Sequence, residues 1–370
     1  MKVLYACLSK SWGGMEMVTL IGIRQLMERG IHVELLCAAE SRIHIEANNL
    51  GIILHPIIAG SYFHPFSSLR TAFIIKGINF DIIHTHSSKD LWVIVPALRF
   101  LNRKVPLVLT KHIGSFINKK DFLHRWLYSY VTRAIAISSV IKKNLADTTP
   151  LKEERIVLIP NGVDIEKFNP GKSKGDKIRE EFNIGKNKFL IGMIARFSPG
   201  KGHEEFIKAA AELNKEYDNL NFIIIGEASR GEDVYERKIK LLAEKLNMHN
   251  LIFTGYRSDI PELLAAMDIF VFPSHAEAFG LALVEAMAMG KPTVCSASDG
   301  VFDIAVSEIT SYLFEKENEK DLKEKIKKLI DNPGTRKNFA IAARERVIKN
   351  FNINIITDRV CNLYNDLIKN

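Results

Sequence analysis

KVLYACLSKSWGGMEMVTLIGIRQLMERG, residues 2–30, carries the first complete structural unit of the chain. KVLYACL is apolar and β-prone, SKSWGGME is a turn bearing two adjacent glycines, and MVTLIGIRQLMERG repeats its apolar residues at helical spacing up to Gly30. The stretch reads as strand, tight loop and helix. IHVELLC predicts a second strand. The alternation continues with DIIHTH (81–86), a helix through LWVIVPALRFL, the strand VPLVLTKH (105–112), an amphipathic stretch over 120–132 and the short strand AIAIS (134–138). Repeated βα units imply a parallel sheet covered by helices.

Over 161–188 the chain turns polar and glycine-bearing, as a domain connection followed by a surface helix would. The pattern then restarts: KFLIGMIARF as strand, SPGKG as loop, HEEFIKAAAELNKEY as helix, and further strands in NFIIIGEA, LIFTGY, DIFVFPS and KPTVCSA. FNINIITDRVCNLYNDLIKN predicts a closing helix. The 370 residues exceed the ~250 to 300 that one core supports, so two doubly wound α/β halves are expected.

Apolar residues make up 47% and charged residues 25%, the balance of a soluble globular protein and not of a disordered one. The longest apolar run, LWVIVPAL, falls far short of the ~18 to 20 residues that span a bilayer. The first ten residues lack the apolar core and cleavage site of a signal peptide, so a cytoplasmic protein is expected. Four cysteines at 7, 37, 295 and 361 form no CxxC pair and predict neither zinc nor disulfides. Net charge is +8, and all of the excess lies early: 1–165 hold 20 Lys+Arg against 12 Asp+Glu, while the remainder holds 31 of each. A basic first half suits an anionic partner, although a solvated basic face gives the same arithmetic.

Ligands of open parallel sheets bind beyond the carboxyl ends of the strands, and there this sequence places Gly13, Gly14, His86, His112, Arg196, Lys201, Gly226, Tyr256 and Glu277. In HAEAFGLALVEAMAMGKP (275–292), Glu285 lies in an apolar helix with almost no expected solvent face, where an unpaired carboxylate is costly. Glu277 precedes that helix, and the amides near Phe279, Gly280 and Leu281 make an anion site at its N-terminus. In ARFSPGKGHEEF (195–206), Arg196 and Lys201 meet a second helix start, which suits a diphosphate. It is not a GxxxxGK[ST] loop, and SWGGMEM (11–17) lacks the GxGxxG order, so Walker-type and dinucleotide sites are disfavoured. His84, His86 and His112 lack nearby carboxylates, and no metal site is expected.

Together GGME, DIIHTH, TKH, IAIS, IPNGVD, IARFSPGKG, FTGY, DIFVFPS and EAFGLALVEAMAMGKP resemble the retaining family-4 glycosyltransferases of the GT-B fold, over essentially the whole chain. The resemblance implies two Rossmann-like domains facing across a cleft: an acceptor domain over 1–165, a nucleotide-sugar domain over 166–350, and a helix over 351–370 crossing back. Glu285 would take ribose hydroxyls and Glu277 hydroxyls of the transferred sugar. Phe279, Gly280 and Leu281 would offer amides to the sugar and phosphate. Arg196 and Lys201 would neutralise the diphosphate, replacing a metal ion, and no DxD sequence occurs. Gly13 and Gly14 would close over the phosphate, with Glu16 near the acceptor. His112 would contact the donor sugar near its reacting carbon, and Gly226, Tyr256 and Arg257 match the region of the nucleobase.

The same resemblance implies a UDP- or GDP-sugar as donor substrate with no separate cofactor. The chain departs from the family where GGxPE gives way to Asp299, Gly300, Val301, Phe302 and Asp303, and where Ser311 and Tyr312 replace the glycine of the next turn. The basic, aromatic FINKKDFLHRWLYSY (116–130) suits an anionic membrane surface on the inner face of the cytoplasmic membrane, and hence a lipid-linked or cell-envelope glycan acceptor. The opposite reading buries Phe122, Trp126 and their neighbours in a core helix and leaves a soluble acceptor. A nucleotide-sugar epimerase of the same fold stays open, whereas no signature of nucleic-acid binding is present.

Overall fold

The computed structural model describes residues 1–58, 64–229 and 231–369. The chain forms two compact units, Met1–Gly162 with Ile353–Asn370, and Val163–Asn352. The first begins with β1 (Lys2–Cys7), α1 (Gly14–Met27), β2 (His32–Ala38), α2 (Arg42–Asn49), β3 (Ile53–Ile57) and α3 (Pro65–Ile78). It continues through β4 (Ile82–Thr85), α4 (Leu91–Leu101), β5 (Leu107–Lys111), α5 (Phe122–Ser129), β6 (Val131–Ala136), α6 (Ser139–Thr148) and β7 (Ile156–Leu158). The seven strands are parallel in the order β3-β2-β1-β4-β5-β6-β7. Central β1 is buried from Val3 to Cys7 on both faces, which explains its unbroken apolar run.

The second unit runs α7 (Asp176–Glu181), β8 (Phe189–Ile194), α8 (His203–Leu213), β9 (Leu220–Ile225), α9 (Asp233–Lys245), β10 (Leu251–Phe253) and α10 (Ile260–Ala266). Then come β11 (Ile269–Phe272), α11 (Leu281–Ala288), β12 (Thr293–Ser296), α12 (Val301–Ile304), β13 (Ser311–Phe314), α13 (Glu319–Asp331) and α14 (Pro333–Asn350). Its strands are parallel in the order β10-β9-β8-β11-β12-β13.

The chain leaves the first unit at Gly162, within IPNGVD, and re-enters it at Ile353, against borders of 165/166 and 350/351 in the sequence reading. A Cβ on Gly162 would lie 2.7 Å from the Ile353 Cα, so the close approach of the two crossing segments requires glycine. The last helix, α15 (Ile353–Lys369), belongs to the first unit. Its Tyr364 is fully buried and bonds through its hydroxyl to His84 Nδ1, while Asp358 pairs with Arg29 on the unit's surface at 2.9 Å. Asn370, the end of the expected closing helix, lies outside the described residues.

Three local expectations change. The amphipathic stretch over 120–132 is helical only from Phe122 to Ser129: Asp121 caps it by accepting the His124 amide at 3.1 Å, and β-branched Val131 and Thr132 open β6 instead. Its apolar residues divide, with Phe122 and Leu123 exposed and Leu127 and Tyr128 buried. Ser311 and Tyr312 are not a turn but the start of β13, where Ser311 pairs with Thr293; the turn is made by Glu308 at φ 62° and its neighbours. The α11 helix keeps a partly open face of Leu281, Ala282 and Glu285, so Glu285 is partly exposed as a residue although its carboxyl is deep enough for burial to act on it.

Candidate functional site

In the second unit the strand order reverses between β8 and β11, the neighbours from which successive strands run outward in opposite directions. The loops after these two strands meet there, where ligands of such sheets bind. Gly202, at φ 78°, lets them touch: a Cβ would come within 2.2 Å of the Pro273 carbonyl oxygen. The His275 amide donates to the Gly200 carbonyl at 2.8 Å. Across this junction Lys201 Nζ lies 2.5 Å from Glu277 Oε1. Arg196, half exposed, sits 3.3 Å from Glu232, which also accepts from Ser198 Oγ at 2.5 Å.

Glu277 is braced from behind. The Gly300 amide donates to the Glu277 carbonyl at 3.0 Å, and a Cβ on Gly300 would fall 2.7 Å from the Ala278 carbonyl oxygen. Asp299-Gly300, where the sequence departs from the family pattern, therefore supports the glutamate loop. Phe279 is buried edge-on to Phe351, with ring centroids 5.8 Å apart, so its backbone and not its ring is available to a ligand. Gly280, at φ 113°, turns the chain into α11, whose first amides have no intrahelical acceptor. On that helix the Glu285 carboxyl has no hydrogen-bond or ion-pair partner among the described residues. Burial pushes it up to about 7, against a smaller downward pull from the Lys167 ammonium.

Gly226, at φ 144°, packs so closely that a Cβ would meet the Ala195 carbonyl oxygen at 2.0 Å, and its amide donates to Gly255 at 3.0 Å. Tyr256 stands exposed beside it. Arg257 is already held: it donates to Glu181 at 2.5 and 3.0 Å and to Asp259 at 2.8 and 2.6 Å, so it braces this corner and is not a free cation for a ligand.

In the first unit the reversal falls between β1 and β4. Gly13 and Gly14 lead into α1, and Glu16 is buried beneath them. Beside it lies the buried Asp90, which accepts from Thr85 Oγ1 at 2.8 Å and the Leu8 amide at 3.4 Å and is pushed up to about 7, chiefly by burial. His86 Nδ1 lies 3.0 Å from His112 Nε2 with ring planes 21° apart, and His84 bonds to Thr110 at 2.7 Å. Burial holds His112 down at about 4 and His86 well below its usual range, so both are neutral at pH 7. Among the described residues no three metal-ligating side chains converge. Among the described residues no helix is long and apolar enough to cross a membrane.

The structure thus brings together Lys201 and Glu277 in the second unit, and the glycine turn with Glu16 in the first. Sequence reasoning missed Asp90 and Glu232. Asp90 stands in the post-strand turn of His86 and was open to the same logic; Glu232 approaches Arg196 from a separate loop, and nothing local marks it.

Two parallel Rossmann-like units, one with a cationic and carboxylate cluster at its sheet reversal, define a doubly wound α/β protein with a candidate ligand site beyond its strand ends. The Glycosyltransferase Family 4 model matches residues 12–167 and the Glycosyl transferases group 1 model residues 174–346. A Campylobacter jejuni N,N'-diacetylbacillosaminyl-diphospho-undecaprenol alpha-1,3-N-acetylgalactosaminyltransferase is 31% identical over 330 residues, 83% of this chain and 84% of that protein. An Escherichia coli UDP-Gal:alpha-D-GlcNAc-diphosphoundecaprenol alpha-1,3-galactosyltransferase is 29% identical over 308 residues, 80% of this chain and 78% of its own. Among solved structures, a glycosyltransferase from Rickettsia africae superposes with a TM-score of 0.90 at 25% identity, covering 100% of this chain and 99% of that one. Anabaena HepE in complex with UDP and glucose gives 0.83 at 23%, covering 98% and 99%. The chain belongs to the family-4 glycosyltransferases and has the GT-B fold.

Proposed function

We propose that this glycosyltransferase moves a sugar from a UDP- or GDP-sugar to a hydroxyl of a lipid-linked or cell-envelope glycan, with retention at the anomeric carbon and without a metal ion. The observation that carries the reading is the Lys201–Glu277 pair beside the open first amides of α11, with the unpartnered Glu285 carboxyl on the same helix. Cations and amides suit a diphosphate, and carboxylates suit ribose and sugar hydroxyls. Arg196 and Lys201 stabilise the charge that builds on the leaving diphosphate as the C1–O bond breaks, which is the task a divalent cation performs elsewhere. Glu277, released from Lys201 as the diphosphate takes that ammonium, accepts hydroxyls of the transferred sugar.

Retention follows when the acceptor oxygen bonds to C1 on the face the diphosphate leaves, the departing phosphate oxygen taking the hydroxyl proton. His112 contacts the donor sugar near C1. Gly13, Gly14 and Glu16 serve phosphate and acceptor in the first unit. The acceptor class is supported by the two relatives, whose names specify diphosphoundecaprenol-linked sugars, and the nucleotide by the UDP-Gal of one of them. Such an acceptor puts the working enzyme on the inner face of the cytoplasmic membrane. A panel of nucleotide sugars in thermal unfolding tests the donor: the true one, at ~100 times its dissociation constant, adds about 2.7 kcal/mol. No stabilisation by any UDP- or GDP-sugar contradicts it, and an inverted anomeric coupling in the product's proton NMR spectrum contradicts retention.

A further inference from the structure

Ser88 lies in the turn after β4, Lys111 ends β5, and Lys119 sits in the loop before α5, so three segments converge at the carboxyl edge of the first unit's sheet. Lys111 Nζ donates to Ser88 Oγ at 3.3 Å and Lys119 Nζ donates to the same oxygen at 3.0 Å. Two ammonium donors occupy both lone pairs of that hydroxyl and leave its own O–H to be donated elsewhere. The Tyr128 hydroxyl, buried and facing Ser88, lies outside hydrogen-bond geometry and has no partner. Lys111 is itself nine-tenths buried, at 9% exposure.

No carboxylate answers these charges: among the described residues Lys89, Lys111 and Lys119 make no ion pair. Burial, with Lys119 beside it, lowers Lys111 to about 8, and burial with Lys89 nearby also lowers Lys119. Buried cations in proteins are ordinarily paired, so this cluster of donors and positive charge is complementary to a ligand made of acceptors and negative charge. The cluster is also held in place. The Lys119 amide donates to the Thr148 carbonyl at 2.7 Å, and Ser115 of the same loop exchanges bonds of 2.7 and 2.9 Å with Asn144 of α6. Between Lys111 and Lys119 that loop exposes Ile113, Phe116 and Ile117, with Phe116 wholly in solvent.

We propose that Ser88, Lys111 and Lys119, with the Tyr128 hydroxyl, form a diphosphate site that takes the diphosphate of a lipid-linked acceptor, whose hydrocarbon lies along Ile113, Phe116 and Ile117. The site rests on the function proposed above and names the part of the acceptor that the first unit grips.

The test uses the full chain saturated with UDP and titrated calorimetrically with farnesyl diphosphate, farnesol and inorganic diphosphate. Farnesyl diphosphate should bind more tightly than either of the other two. Lys119→Ala should weaken it about tenfold, the loss of one charge-assisted bond, while Lys119→Arg retains it. Wild-type affinity in Lys119→Ala, with the UDP response showing that the variant is folded, overturns the site. Inorganic diphosphate binding as tightly as farnesyl diphosphate overturns the lipid-linked assignment in favour of a free anion. Failure of both UDP and GDP to bind contradicts the donor reading, whereas the farnesyl titration, run with whichever of the two binds, reads the lysine site separately.

Discussion

Lys201 Nζ and Glu277 Oε1, 2.5 Å apart, join the loop after β8 to the loop after β11 at the point where the strand order reverses. On the proposed reading a donor would engage both, the ammonium through its diphosphate and the carboxylate through its hydroxyls. Lys201→Ala should lower kcat by ~100-fold or more, as removal of a preorganised charge at a leaving group does. Steady-state kinetics at saturating donor measure it, and a change confined to KM would mean that the lysine binds donor and transition state alike.

Glu285 gives a pH signature. Its carboxyl is raised to about 7, so only above that value is it fully the carboxylate that the proposed contact with ribose hydroxyls needs. Donor affinity should therefore rise between about pH 6 and pH 8 in the wild type and stay flat in Glu285→Gln, which should bind ~1.5 to 3 kcal/mol more weakly at the upper end. Stability of the ligand-free chain runs the other way. A carboxyl raised above its unfolded value holds its proton longer when folded, so its contribution is complete below the unfolded value and is lost as pH climbs through about 7. Calorimetric titration with UDP at the two pH values, in both proteins, checks the first trend.

The βα alternation was legible in the sequence because buried parallel strands and apolar helices leave unbroken runs, and Glu285 stood out as a carboxylate inside such a run. What was not legible depended on distant partners. Arg257 looks like any exposed cation after a strand, and only the fold brings Glu181 to it across 76 positions. Lys111 and Lys119 read as scattered basic residues until Ser88 gathers them. Ser311 and Tyr312 were assigned to a turn by the family resemblance, and strand β13, only four residues long, carries little pattern of its own to oppose it.

The closing helix is held to the first unit by a buried polar contact. Tyr364→Phe keeps the ring but removes the hydroxyl that bonds to His84 Nδ1, leaving that nitrogen buried without its partner. Loss of ~1 to 3 kcal/mol is expected. A urea midpoint that moves while its slope does not would register it, and an unchanged midpoint would contradict the anchoring role.

Phe116, Ile117 and Phe122 are exposed beside Lys119, Lys120 and Arg125, a combination suited to anionic headgroups at ~1 kcal/mol for each cation near the surface. The protein should sediment with anionic liposomes at low salt and leave them as salt rises, and Phe116→Ser with Ile117→Ser should weaken that binding. Equal sedimentation with neutral and anionic vesicles, or none with either, would favour a soluble acceptor.

The proposed reaction is metal-free transfer of a sugar from a nucleotide to a lipid-linked acceptor. Its most direct test incubates the purified protein with labelled UDP- and GDP-sugars and undecaprenyl-diphosphate-linked sugars in EDTA, and follows label into the organic-soluble lipid. Acceptor-dependent label in the lipid, undiminished by chelator and lost in Lys201→Ala, is the predicted result. Donor consumed at the same rate without acceptor, or transfer that stops in EDTA and resumes with magnesium, would contradict it.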